Sequence, residues 1–195
     1  NAAVTCLLRQ RQVDERELTT ILLHVLARSH RANNGDVEGS WQQLLTNSPT
    51  GVRVGDALRQ CFVGPTSTDT KTCASEFVTL YVGDSSDKKL LDSLARHWAG
   101  PLTAVIEAYS HPSVAPTVVA LATLLRVVQD ACGPDAAIKI IDTHGVFEAA
   151  TNLVRHTPSN ASSQRGVEAS SSKSLVEANG YLLAVVASAA DSLLE

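Results

Sequence analysis

The stretch HPSVAPTVVALATLLRVVQDACGPDAAIKIIDTHG, residues 111–145, is apolar over two successive runs and is broken only by Pro and Gly. Leu121, Leu124, Leu125, Val128 and Cys132 recur at the spacing of one helix face, which predicts a long helix. Pro116 falls in its first turn, where a missing N–H costs nothing. Gly133 is placed to end that helix, and Pro134 to open a shorter one that runs through Ile138 and Ile141 to Gly145. Val146, Phe147, Ala150, Leu153 and Val154 mark a third apolar helix directly after the Gly145 corner.

The same grammar extends in both directions. Upstream, Leu18, Ile21, Leu22, Val25 and Leu26 form a stripe preceded by Asp14 and Glu17, which resemble a capping box. Val37, Trp41, Leu44 and Leu45 mark a shorter helix, and Val54, Leu58, Cys61 and Phe62 another. Ala74, Phe77, Val78 and Tyr81 follow, although EFVTLYV is short enough to be claimed by a strand. Leu90, Leu91, Leu94 and Trp98 predict a helix ending at Gly100. Leu102, Val105, Ile106 and Tyr109 predict another, with Pro101 at its first position. Downstream, residues 157–174 are Ser-rich and polar, which predicts a loop, and a final helix runs through Leu175, Leu182, Val186 and Leu193. The pattern predicts about ten helices and no convincing strand.

Gly55, Gly100 and Gly145 stand 45 residues apart in succession. Each is followed by a helix of roughly ten residues, a Pro-bearing break and a second apolar helix. That period falls within the range of helical repeats, whose single units cannot bury their apolar stripe and must stack. The run from VVALATLLRVVQDACG through PDAAIKIIDTHGVFEAATNLV, residues 118–154, resembles a unit of the armadillo/HEAT helical-repeat family. The resemblance is clearest over residues 100–156. It is a pattern of apolar and turn residues without chemistry of its own. It implies an all-α, irregular armadillo-like solenoid over residues 51–195, preceded by an N-terminal helical cap over residues 1–50. It also implies protein binding on a face lined by one helix of each unit, here those at residues 116–132 and 174–194. Arg126, Gln129 and Asn179 are the candidate contacts on those helices. A trafficking-type adaptor with a superhelical fold is a variant of the same reading.

Composition fits a folded chain and bounds its partners. Of 195 residues, 44% are apolar and 18% charged, against roughly 25% charged in ordinary domains. A net charge of −4 gives no electrostatic footprint for nucleic acid, so an RNA-binding helical repeat is the lesser alternative. Cys6, Cys61, Cys73 and Cys132 lack any C-x-x-C spacing and lie in helix-like apolar patterns, where free Cys acts as a small hydrophobe. An intracellular, cytoplasmic setting is the expectation. No window reaches 18 uninterrupted apolar residues, and no charged-then-apolar signal opens the chain. Asn1 in place of Met, with helix-like patterns at both ends, suggests a fragment of a longer protein or a subunit of an assembly.

The search for chemistry returns little. His24, His30, His97, His111, His144 and His156 make no H-E-x-x-H or other metal spacing, and no phosphate loop or nucleophile elbow is present. His144 beside a helix end is expected to face the helix dipole. Asn160-Ala161-Ser162 matches a glycosylation sequon that an intracellular chain leaves unused. No catalytic, metal or cofactor-binding residue is therefore expected. Two features point to regulation or binding. Ser162, Ser163, Ser170, Ser171 and Ser172, near Arg165 and Lys173, are candidate phosphorylation positions in the Ser-rich loop. Trp98 shares a stripe with Leu91 and Leu94 and reads as core. Trp41, beside Gln42 and Gln43, suits either the core or a binding anchor. The reading is a non-enzymatic protein–protein interaction module, a scaffold or structural subunit within a larger assembly.

Overall fold

The computed structural model describes residues 61–62, 67–83, 88–108, 112–156 and 167–192. Six α-helices occupy them: α1 (Thr68–Gly83), α2 (Lys88–Ala108), α3 (Ala115–Cys132), α4 (Pro134–His144), α5 (Val146–His156) and α6 (Val167–Asp191). A 3-10 turn at Pro112–Val114 leads into α3, and no strand occurs among the described residues. The chain is all-α there, and EFVTLYV lies within α1. Cys61 and Phe62 are helical and buried. Trp41, the helices expected around residues 18–26 and 37–45, and the cap over residues 1–50 lie outside the described residues.

Local signals set several helix ends. Ser67 caps α1 by accepting the Thr70 N–H at 3.2 Å on its Oγ, and Asp69 adds a carboxylate in the first turn. Gly133 adopts φ 95°, and its N–H bonds the Gln129 carbonyl to close α3. Pro134 then opens α4, where its missing N–H was an orphan anyway. Gly145 takes the left-handed conformation, φ 63°, and returns its N–H to the Ile141 carbonyl, which separates α4 from α5.

Two boundaries differ from the sequence expectation. The helices predicted on either side of Gly100 are one, α2, with Pro101 inside it rather than at a first turn. Proline removes one intrahelical bond, but Trp98, Ala99, Leu102 and Val105 are all buried, so packing on both sides of the break holds the helix through it. The second difference is the Ser-rich loop. Helix α6 starts at Val167, so Ser170, Ser171 and Ser172 are helical residues. The apolar stripe that begins at Leu175 anchors the helix, and the polar residues before it extend the helix N-terminally. Ser162 and Ser163 lie outside the described residues, as does Leu193.

Helix α3 is the hub. Leu121, Leu124, Leu125 and Val128 are fully buried, and each large apolar side chain so buried contributes about 1.5–3 kcal/mol. α1, α2, α4 and α6 all pack on it. By length and a mean hydropathy of 1.3, α3 is also long and apolar enough to cross a bilayer. Here half of that span is buried against its neighbours.

The order of packing is specific. α3 separates α1 from α6, while α2, α4 and α5 pack on one another in a second tier. α2 and α3 are antiparallel, since Cys132 at the end of α3 donates its thiol to the carbonyl of Lys88 at the start of α2, at 3.6 Å. α3 and α6 are parallel. Pro116 and Val119 share a cleft with Ser174, and Gln129 bonds Ser188. Ser75 meets Thr117 near the start of α3, at 2.9 Å. The chain then passes from Gly83 to Lys88 at the far end of α3, so α1 rises alongside α3 as well.

Candidate interaction surface

One stripe along α3 is only partly covered by its neighbours: Pro116, Val119, Thr123 and Val127 are half-buried, and Arg126 and Asp130 are exposed. At its N-terminal end the stripe opens into a cleft of about 340 Å³. Glu76, Thr79 and Leu80 of α1 form one wall, Ala115, Pro116 and Val119 of α3 the other, and Ser174 of α6 closes the end. The cleft is chiefly apolar, with Glu76, Thr79 and Ser174 as its polar lining residues.

Among the described residues, Glu76 is the one charged side chain that lines the cleft. Cys73 lies one turn from both Asp69 and Glu76. Its thiol is pushed above the ordinary range first by burial, then by the charges of Glu76 and Asp69. Toward the C-terminal end of the stripe, side chains of α3 reach α6. The Arg126 guanidinium holds its proton more tightly, first through its hydrogen bond to Tyr181 and then through the charges of Tyr181 and Asp130. Gln129 Nε2 donates to Ser188 Oγ at 3.2 Å.

The residues expected on this face divide accordingly. Arg126 is exposed on it, and Gln129 is half-buried and engaged with α6. Asn179 is a correction: it is buried, at 4% exposure, on the far side of α6. Its Nδ2 donates to the Ala150 carbonyl of α5 at 3.0 Å, while its buried Oδ1 has no partner. Polarity suggested exposure, but its place between the buried Ala178 and Leu182 sets it facing the core. The cleft residues Leu80, Pro116 and Val119 were missed because apolar side chains on an apolar helix carry no signal that separates rim from core.

A second cleft, about 450 Å³, lies between α2 and α4 and is lined by Asp92, Arg96, Asp135, Lys139, Thr143 and His144 among others. Its acids and bases balance, and Arg96 is held by Asp92 at 2.8 Å, so it offers no net field to an ion. His144 ends α4, as the sequence suggested, with its ring against α2. Among the described residues no group of three His, Cys, Asp or Glu side chains is placed to hold a metal.

The chain matches no protein-family model, no characterised protein and no solved structure.

Proposed function

We propose that this chain is a protein–protein interaction module, an irregular armadillo-like stack of helical units without catalytic chemistry, serving as a scaffold or structural subunit of an intracellular assembly. The observation that carries this reading is the apolar cleft between the neighbouring helices α1 and α3. The parallel run of α3 and α6 supports it, because translation of a repeating unit sets equivalent helices side by side in the same direction. Packing of α3 between α1 and α6 supports it too, since stacked units touch mainly their neighbours. The carboxylate of Glu76 in the cleft favours a protein over a nucleic acid as the occupant.

The test uses the cleft itself. The tagged chain and its Val119→Glu variant are each used to capture partners from native lysate, with and without nuclease, and stoichiometric proteins are scored by mass spectrometry. Val119 is only partly buried, so the variant is expected to fold. A protein set that survives nuclease and is lost with Val119→Glu is the expected result. A set that depends on nucleic acid, or the absence of any stoichiometric partner, overturns the reading.

A further inference from the structure

Two contacts fix how α4 lies against α2. Cys132, just before α4 begins, donates its thiol to the carbonyl of Lys88, the first residue of α2. His144, the last residue of α4, rests its ring on Gly100 in the middle of α2. The two helices therefore run side by side in the same direction. Lys88 to Gly100 and Cys132 to His144 are both steps of 12 residues, so the two stretches stay nearly in step.

That alignment sorts the charges of the α2–α4 cleft into rungs. Asp92 of α2 and Asp135 of α4 stand near one level. Arg96 and Lys139, each four residues further on, stand one turn beyond them. Thr143 and His144 end the row, while Ala136 and the buried Ile140 supply an apolar floor. The cleft is thus balanced in charge but polarised along its length, acidic at one level and basic at the next. A simple ion gains nothing net from such a site. A molecule carrying both charges at the right separation gains at both levels.

The α4 side of this ladder is open. Asp92 and Arg96 pair with each other along α2 at 2.8 Å. Asp135 and Lys139 share the i,i+4 spacing of the pairs Asp92–Arg96, Arg126–Asp130 and Lys173–Glu177, yet they form no ion pair among the described residues. A guanidinium has five N–H donors, so Arg96 can hold a second carboxylate beside Asp92. The rungs are one helical turn apart, about 5–6 Å between β-carbons. An amino acid carries its ammonium and carboxylate on a single carbon. A dipeptide can separate them by up to about 7 Å, which matches the rungs better. The cleft, about 450 Å³, lies within the ~300–1,000 Å³ of small-molecule sites.

We propose that the α2–α4 cleft binds a small zwitterion of the dipeptide class. Its ammonium sits between Asp92 and Asp135, its carboxylate between Arg96 and Lys139, and an apolar side chain lies over Ala136 and Ile140. The site shares no residue with the α1–α3 cleft and does not depend on its reading.

The probe is leucyl-leucine, titrated calorimetrically into the full chain at neutral pH and low ionic strength, where exposed charges are least screened. Saturable binding with a Kd near or below ~1 mM is expected. Two comparisons on the native chain test the charges: N-acetyl-leucyl-leucine lacks the ammonium, and leucyl-leucinamide lacks the carboxylate. Each is expected to bind tenfold or more weakly. Asp135→Asn and Lys139→Gln are expected to weaken leucyl-leucine to the same degree. Both positions are exposed, where substitutions change stability little, and circular dichroism checks their folding. No saturation up to ~10 mM, or equal binding by the blocked dipeptides or by the two variants, overturns the proposal. Free leucine is the last arm and is expected to bind more weakly than the dipeptide. Leucine binding as tightly also overturns it, because the spacing of the rungs is then not what the site reads.

Discussion

The imidazole of His144 rests on the backbone of Gly100: a β-carbon at that glycine would lie 3.0 Å from the ring Nδ1. This contact joins the α4–α5 corner to the middle of α2, and it explains a glycine within a helix that has no turn to make there. It also predicts a coupling. Alanine at position 100 gains about 1 kcal/mol of helix propensity over glycine but must displace the ring. Gly100→Ala alone is expected to change stability by less than about 0.5 kcal/mol. In a His144→Ala background the same substitution gains about 1 kcal/mol. Urea denaturation of the four proteins measures both, and additive effects would refute the contact.

A buried hydroxyl pair ties α1 to α3. Ser75 Oγ donates its one proton to the Lys71 carbonyl at 2.8 Å, so the Thr117 hydroxyl, 2.9 Å away, is the donor to Ser75. The two ends of the pair are therefore unequal. Ser75→Ala leaves a buried donor without its acceptor and is expected to cost about 1–3 kcal/mol. Thr117→Val leaves Ser75 bonded to its own helix and is expected to cost less, under about 1 kcal/mol. The double variant is expected to be no worse than Ser75→Ala. Equal costs for the two single variants, measured by thermal or urea unfolding, would contradict this assignment of protons.

Periodicity and punctuation made α3, α4 and the Gly133 and Gly145 corners legible in the sequence, because Leu121, Leu125 and Val128 repeat at helical spacing and glycine alone tolerates the backbone required. They failed at Gly100-Pro101, where the same residues mark a close approach within a helix. A one-dimensional pattern cannot distinguish a glycine needed for its φ from one needed for its missing side chain. The site was less legible for a related reason. Leu80, Val119 and Phe147 differ from core residues only in what fails to cover them, which is a property of the neighbouring unit and not of the local sequence.

Asn179 illustrates the opposite error and gives a direct test of its burial. With Nδ2 on the Ala150 carbonyl and Oδ1 unpartnered, the amide gains little from its site. Asn179→Leu is expected to leave stability within about 1.5 kcal/mol of the parent, the strain of one extra branch offsetting the polar atom removed. Asn179→Asp places an unpaired charge there and is expected to cost about 3 kcal/mol or more at neutral pH. An exposed side chain would tolerate both. Chemical denaturation of the two variants separates the cases.

Cys73 reports on the charges of Glu76 and Asp69 on α1. Burial and the charges of Glu76 and Asp69 raise its thiol, so less thiolate is present at neutral pH than in an unperturbed cysteine, whose pKa is about 8.5. Alkylation by iodoacetamide, followed peptide by peptide to isolate this residue, is expected to show a pH midpoint above that value. Glu76→Gln and Asp69→Asn each remove a neighbouring charge and are expected to lower the midpoint and speed the reaction near pH 7.5. The linkage to folding has a definite sign. A thiol raised in the folded state contributes stability that is fully present below the unfolded pKa and is lost as pH rises through the folded one. Stability is therefore expected to fall above about pH 8.5, and the share of that fall due to Cys73 disappears in Cys73→Ser. A midpoint at or below the ordinary thiol value, or one indifferent to Glu76→Gln and Asp69→Asn, would contradict the field of Glu76 and Asp69 at this thiol.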